Sequence, residues 1–184
     1  FLAYGDNRSD DAAHAAVVKA MLATPGDFLV HTGGFVEDGG AAGDWQRFFD
    51  IEAPLLRERC VYYCVGNHEL TDGAGIAYAR YLGPTDPPSV TARVAPEHLD
   101  GTMRWGNARF FFLHRLVGLR TGVDRTWLDK ALSEADGEPG LVWRILVVHH
   151  APWSAGPHGP NRMMLAADIP ALLRAHKVDL VFGG

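Results

Sequence analysis

Cysteine is almost missing from this chain: two residues, Cys60 and Cys64, in 184. Two are too few for a disulfide framework. On a strand they would share one face about 13 Å apart, beyond the roughly 7 Å between Cα atoms that a bridge tolerates. Buried free thiols are therefore expected. Long apolar runs are also missing. No 18 consecutive apolar residues occur, so no membrane segment is expected in this fragment. Lys and Arg never cluster, and the net charge is −5, which argues against nucleic acid or an anionic membrane as the main partner. A small anionic substrate, read by a local site, remains compatible with that charge. There is no Gly-x-Ser-x-Gly elbow, no P-loop and no Gly-x-Gly-x-x-Gly after a strand, which leaves serine hydrolases, NTPases and dinucleotide binders without their motifs. Repeats and low-complexity segments are absent too. Phe1–Tyr4 reads as the middle of a strand with neither initiator Met nor signal-peptide n-region, and Val178–Phe182 runs into Gly183-Gly184 and stops. A fragment truncated at both ends is expected, and no compartment is assigned.

What is present describes an ordinary folded domain. Hydrophobic residues make up 47% and charged ones 21%, close to the soluble globular average. A chain of this length buries roughly 70% of its unfolded surface, and one domain over residues 1–184 is the default. Apolar runs at Phe1–Tyr4, Phe28–His31 and Val61–Val65 alternate with helical periodicity in Ala12–Ala23 and Trp45–Arg59, the latter expected to be interrupted near Pro54. Gly83–Val94, with three prolines, reads as a loop. Met103–Trp105 and Arg109–Leu113 around Gly106-Asn107 carry a hairpin signal. Thr126–Ala135 reads as a helix, Trp143–Val148 as a strand, Ala151–Asn161 as a loop, Met163–His176 as a helix kinked or broken at Pro170, and Val178–Phe182 as a final strand. Strands alternating with helices, plus one hairpin, point to an α/β or α+β sandwich. The tryptophans mostly suit a core, with Trp153 at the edge of a pocket.

The polar residues that carry chemistry fall at strand ends: Asp6, His31, Asn67-His68-Glu69 and His149-His150. In open α/β sheets ligands bind beyond the carboxyl ends of the strands. Carboxylate, amide and imidazole together are oxygen and nitrogen ligands for a divalent first-row metal. Any one of these histidines alone reads more simply as a hydrogen-bonded turn residue. Four such loops in succession favour a metal centre.

Gly5-Asp6-Asn7-Arg8, the stretch from His31-Thr32-Gly33 to Glu37-Asp38-Gly39, Gly66-Asn67-His68-Glu69, and Val147-Val148-His149-His150-Ala151-Pro152-Trp153 resemble successive signatures of the calcineurin-like metallophosphoesterases, in the purple-acid-phosphatase-like branch. The resemblance spans the whole chain. It implies a metallophosphoesterase-type β-sandwich flanked by helices, and a phosphomonoesterase that uses a metal-bound hydroxide on a small phosphorylated substrate. The cofactors implied are two metal ions, Fe, Mn or Zn, which clamp the phosphate and lower the pKa of bound water. Asp6 would be a ligand of the first metal, Asn67 and His149 of the second. His68 would face the phosphate and help protonate the leaving group, with His158 a second candidate acid. Arg8 and His150 would contact substrate, although His150 reads equally well as a turn residue. Glu69 would brace its loop.

Three positions depart from that pattern. The family's bridging Asp, expected immediately after Gly33, is Gly34, and glycine offers no ligand. Arg8 stands where many members have a metal-binding His, and a guanidinium cannot ligate. The family's C-terminal Gly-His-x-His would follow Gly183-Gly184, beyond the last residue. Hydrolysis by this chain is thereby in question, and a catalytically silent member that binds a phosphorylated ligand or partner is the alternative. An Asp restored at position 34 is expected to restore both metal and turnover.

Overall fold

A computed structural model describes residues 1–71, 75–82, 100–114 and 125–184. The loop expected over Gly83–Val94 lies outside them. The described residues fall into two compact units, one running to Leu82 and the other from Asp100 to Gly183, and each has its own sheet.

In the first unit β1 (Leu2–Tyr4), β2 (Phe28–His31) and β3 (Cys60–Tyr63) form a parallel sheet in the order β1-β2-β3. All four residues of β2 are buried, as a central strand covered on both faces requires. Register pairs Tyr4 with His31 and His31 with Tyr63, so the three strands end in one row. Helix α1 (Asp11–Ala23) starts at the acidic pair Asp10-Asp11. Asp10 caps it by accepting the amides of Ala12 and Ala13 at 2.9 and 3.0 Å. Val18 and Met21 from α1 meet Leu29 of β2 and Leu55 of α2 in the core.

Helix α2 (Ala42–Glu58) runs straight through Pro54, contrary to the interruption expected there. Proline removes one backbone donor from the helix, but Trp45, Phe48, Glu52 and Leu55 remain buried on one face. Their packing holds the helix together across the missing bond. A single 3-10 turn (His68–Leu70) and α3 (Ile76–Leu82) follow β3; neither was expected from the periodicity.

The second unit holds a four-stranded sheet ordered β4-β5-β6-β7, from β4 (Gly101–Trp105), β5 (Ala108–Leu113), β6 (Trp143–Val148) and β7 (Leu180–Phe182). The hairpin forms as expected, with Gly106 at φ +58 opening its turn. Strands β5, β6 and β7 are parallel. Helix α4 (Thr126–Asp136) buries Leu128, Ala131, Leu132 and Ala135 against them. The last helical stretch is two helices, α5 (Arg162–Ala166) and α6 (Ile169–Ala175), broken at Asp168 with φ +54. Pro170 sits in the first turn of α6, where its missing N–H leaves nothing unsatisfied.

Two expectations about burial fail. Cys60 is exposed, and only Cys64 is buried; both are free thiols. Trp105 and Trp143 are each 47% exposed, at the ends of β4 and β6 on either side of β5, rather than in the core. Among the described residues no helix is long and apolar enough to cross a membrane.

His114, just past β5, is buried, and burial pushes its pKa down to about 3. The unfolded imidazole takes a proton near pH 6.5, so the folded state forgoes that proton between about 6.5 and 3. Stability from this residue is complete above that window and is lost as pH falls through it, at up to about 1.4 kcal/mol per pH unit. Urea unfolding from pH 7 to 4 should show a shallower decline in His114→Phe than in the wild type; parallel declines would contradict the assignment.

Candidate functional site

The site in the first unit is built from three loops that leave the row of strand ends: residues 5–9, 32–41 and 64–71. Backbone bonds stitch them together. The Thr32 amide donates to the Tyr4 carbonyl, the Asp6 amide to the Gly33 carbonyl and the Cys64 amide to the His31 carbonyl, at 2.8–2.9 Å. Gly39 presses so closely on the backbone of His68 and Glu69 that a Cβ would collide with both.

Glu69 is the brace. Its Oε2 accepts the amides of Gly66 at 2.6 Å and Gly34 at 3.0 Å. Its Oε1 accepts Phe35 at 2.8 Å and Val36 at 3.3 Å. Burial pushes its pKa up, while these four amides, which favour the charged form, pull the other way. The carboxylate is fully buried and serves as a structural staple between the second and third loops.

Asp6 lies at φ +53 with a half-exposed side chain, and its Oδ1 is ion-paired with Arg8 Nη1. Arg8 Nε also lies 3.4 Å from Glu37 Oε2. The guanidinium is the most buried of the three, 16% exposed against 45% for Asp6 and 64% for Glu37. His68 Nδ1 is 2.6 Å from the Glu37 carbonyl. A carbonyl only accepts, so Nδ1 carries the hydrogen and Nε2 is left to act as base, or as acid when protonated. Asn67, beside it, is exposed at the entrance to the 3-10 turn. Asp38 is tied to Thr71 Oγ1 at 2.5 Å and to the Gly40 amide, which hold its carboxyl below the usual range.

His31 is a core residue rather than a ligand. Its Nδ1 accepts the Gly33 amide at 3.1 Å, so Nε2–H donates to Asn7 Oδ1 at 2.6 Å. Its ring stacks on Phe35, with centroids 4.1 Å apart. The Asn7 amide donates in turn to His14, whose Nε2 meets Glu52 at 2.6 Å, and Tyr4 donates to the other Glu52 oxygen at 3.0 Å. This buried chain fixes Asn7, and with it the loop that carries Asp6 and Arg8. Of its members only His31 was singled out from the sequence, as a strand-end residue; Tyr4, His14 and Glu52 were not. The signal was there in Glu52, which sits on the apolar face of α2 with Trp45, Phe48 and Leu55.

The remaining sequence-derived residues belong to the second unit. His149 is buried just past β6, its ring 4.6 Å from that of half-buried His150. His158 is exposed in the following loop, on a turn closed by the Gly159 amide on the Gly156 carbonyl. Trp153 is exposed as well.

A calcineurin-like phosphoesterase model matches residues 1–184. The fold is shared with three solved structures. A purple acid phosphatase, PPD1, from yellow lupin (Lupinus luteus) seeds is 18% identical with a TM-score of 0.74, over 100% of this chain and 37% of that one. A dimetal phosphatase from Danio rerio is 13% identical with a TM-score of 0.67, over 99% and 78%. GAP50, the anchor in the inner membrane complex of Plasmodium, is 15% identical with a TM-score of 0.68, over 99% and 64%. No curated protein matches the chain. The protein belongs to the calcineurin-like phosphoesterase family, and metal-dependent phosphoesterase is the general class that the family and its phosphatase neighbours define. The chain spans little more than a third of the lupin enzyme's length.

A two-metal centre does not fit the described residues. Asp6 is already engaged by a cation, position 34 supplies no carboxylate, and no group of three His, Cys, Asp or Glu among the described residues could hold a metal. Glu69→Ala should strand four buried amides and lower the unfolding free energy by at least about 3 kcal/mol. Glu69→Gln, which keeps one acceptor oxygen, should lose less. Urea denaturation measures both; an unaffected Glu69→Ala protein would remove the brace from the argument.

Proposed function

We propose that this chain is a hydrolytically silent member of its family that retains recognition of a phosphoric ester, with a small phosphomonoester as ligand. The observation that carries the reading is the Asp6–Arg8 ion pair at a position where glycine replaces the bridging carboxylate. Phosphomonoester hydrolysis requires accelerations of up to roughly 10²¹-fold, and one positioned acid such as His68 supplies about 10²–10⁴. Without the charge neutralisation that two metals provide, that gap does not close.

What remains suits binding. Arg8 presents a planar, permanently charged fork that matches phosphate. Its Nε and Nη1 are buried without a hydrogen-bond partner, so a phosphate reaches the Nε edge by displacing Glu37, which is mostly exposed. His68, with Nδ1–H fixed on the Glu37 carbonyl, has Nε2 to offer a phosphate oxygen when protonated. Asp6 and Glu37 repel an approaching dianion, so the affinity should be modest, with a Kd of about 1 mM or roughly −4 kcal/mol. His150 and His158 are further candidates for ligand contact. GAP50, which shares the fold, is described as an anchor, which is in keeping with a binding role.

A second reading is the metal-dependent phosphomonoesterase with Fe, Mn or Zn, which the retained residues Asn67, His68 and His149 favour. Calorimetric titration with inorganic phosphate and p-nitrophenyl phosphate turnover, each with and without added Mn²⁺, Fe²⁺ or Zn²⁺, separate the two. We expect phosphate binding that weakens at least tenfold in Arg8→Ala, and no metal-stimulated turnover. Turnover in the ordinary range of about 1–10³ s⁻¹ would replace this reading with the second.

A further inference from the structure

We infer that Arg8 is the built-in cation of this site and that Gly34 is its obligate structural counterpart, so that neither position reverts to metal binding by a single change. The inference does not use phosphate recognition, and its test reads metal content and thermal stability, so the two can fail separately.

Gly34 sits at φ +77, a conformation that residues with a Cβ rarely adopt. A Cβ built there would collide with Asp6 Oδ1, lie 3.0 Å from Asp6 Cα and lie 3.1 Å from Arg8 Nη1. The backbone cannot simply retreat. The Gly34 amide is held by Glu69 at 3.0 Å, and the preceding carbonyl is held by the Asp6 amide at 2.9 Å. Asp6 is pinned from the other side, because its carboxylate is fastened to the Arg8 guanidinium. The space that a carboxylate at position 34 would enter is therefore closed by the same ion pair that fills the cation's place.

A guanidinium in this position does electrostatically part of what a cation would do. It carries a permanent charge, and it neutralises Asp6 without losing hydration as costly as that of an ammonium. A divalent ion must displace a partner tethered two residues away, at the high effective concentration that an intramolecular partner enjoys. Asp6 alone, a single carboxylate half-exposed to water, offers too little to win that exchange. The simple expectation that Asp at position 34 restores the metal is thus reversed. Gly34→Asp introduces strain and a second carboxylate while leaving Arg8 in place.

The test is a double-mutant cycle of wild type, Gly34→Asp, Arg8→Ala and the double variant. Each is assayed for Tm and, after dialysis against Mn²⁺, for manganese content by elemental analysis. Gly34→Asp should lower Tm by about 4 °C and take up no manganese. Adding Arg8→Ala frees the Asp6 carboxylate to turn away from the new Cβ. The double variant should recover at least half of that loss, bind manganese, and gain Tm in its presence. If Gly34→Asp does not fold, the same cycle with Gly34→Ala reads the steric coupling through Tm alone. Strictly additive Tm losses, or manganese uptake by Gly34→Asp alone at unchanged Tm, would overturn the inference.

Discussion

The first unit's site depends on one buried carboxylate. Glu69 gathers four amides from two loops, and each loop would otherwise carry unsatisfied donors into a water-free interior. That gathering sets the path of residues 34–36, and with it the positive φ of Gly34 and the position of the Gly33 carbonyl that receives Asp6. The left-handed turn at Asp6 and its partner Arg8 are downstream of the same restraint. The third loop contributes by carrying the brace itself, and His68 is held one residue before it. A change at Glu69 is therefore felt at every polar group of this site, although Glu69 touches none of their side chains.

The proposed reading separates the family's fold from this chain's chemistry. Parallel strands ending in one row make the same platform in a phosphatase and in this chain, and the shared fold follows from the platform. Chemistry follows from charge. One guanidinium, Arg8, faces the two carboxylates of Asp6 and Glu37, which leaves the group net negative. Under the proposed reading, such a site exchanges one anion for another on the guanidinium.

Much of this was legible in the sequence, for physical reasons. Each parallel strand is a short apolar run closed by a polar or glycine-rich turn, so strands and strand-end loops could be placed without a structure. The bracing role of Glu69 was implied by the family resemblance. Other features depend on tertiary placement and left little local trace. Pro54 signals a broken helix, but the buried face of α2 overrides it. The break expected at Pro170 falls instead at Asp168, in a left-handed conformation, and Pro170 opens the next helix. Glu52 sits in an apolar stripe, yet its partners His14 and Tyr4 are remote in sequence and on other elements. That Arg8 turns onto Asp6 could not be read from two residues on one loop, and the exposure of Trp105 and Trp143 depends on where their strands end.

The measurement that bears most directly on the site is a crystal structure of the protein grown in Mn²⁺, with anomalous scattering recorded at the manganese edge. The predicted result is no anomalous peak at Asp6, with the Arg8 guanidinium on its carboxylate and Gly34 in the left-handed region. A peak within about 2.2 Å of the Asp6 carboxylate, with Arg8 turned away, would contradict the claim that an arginine holds the place of the metal.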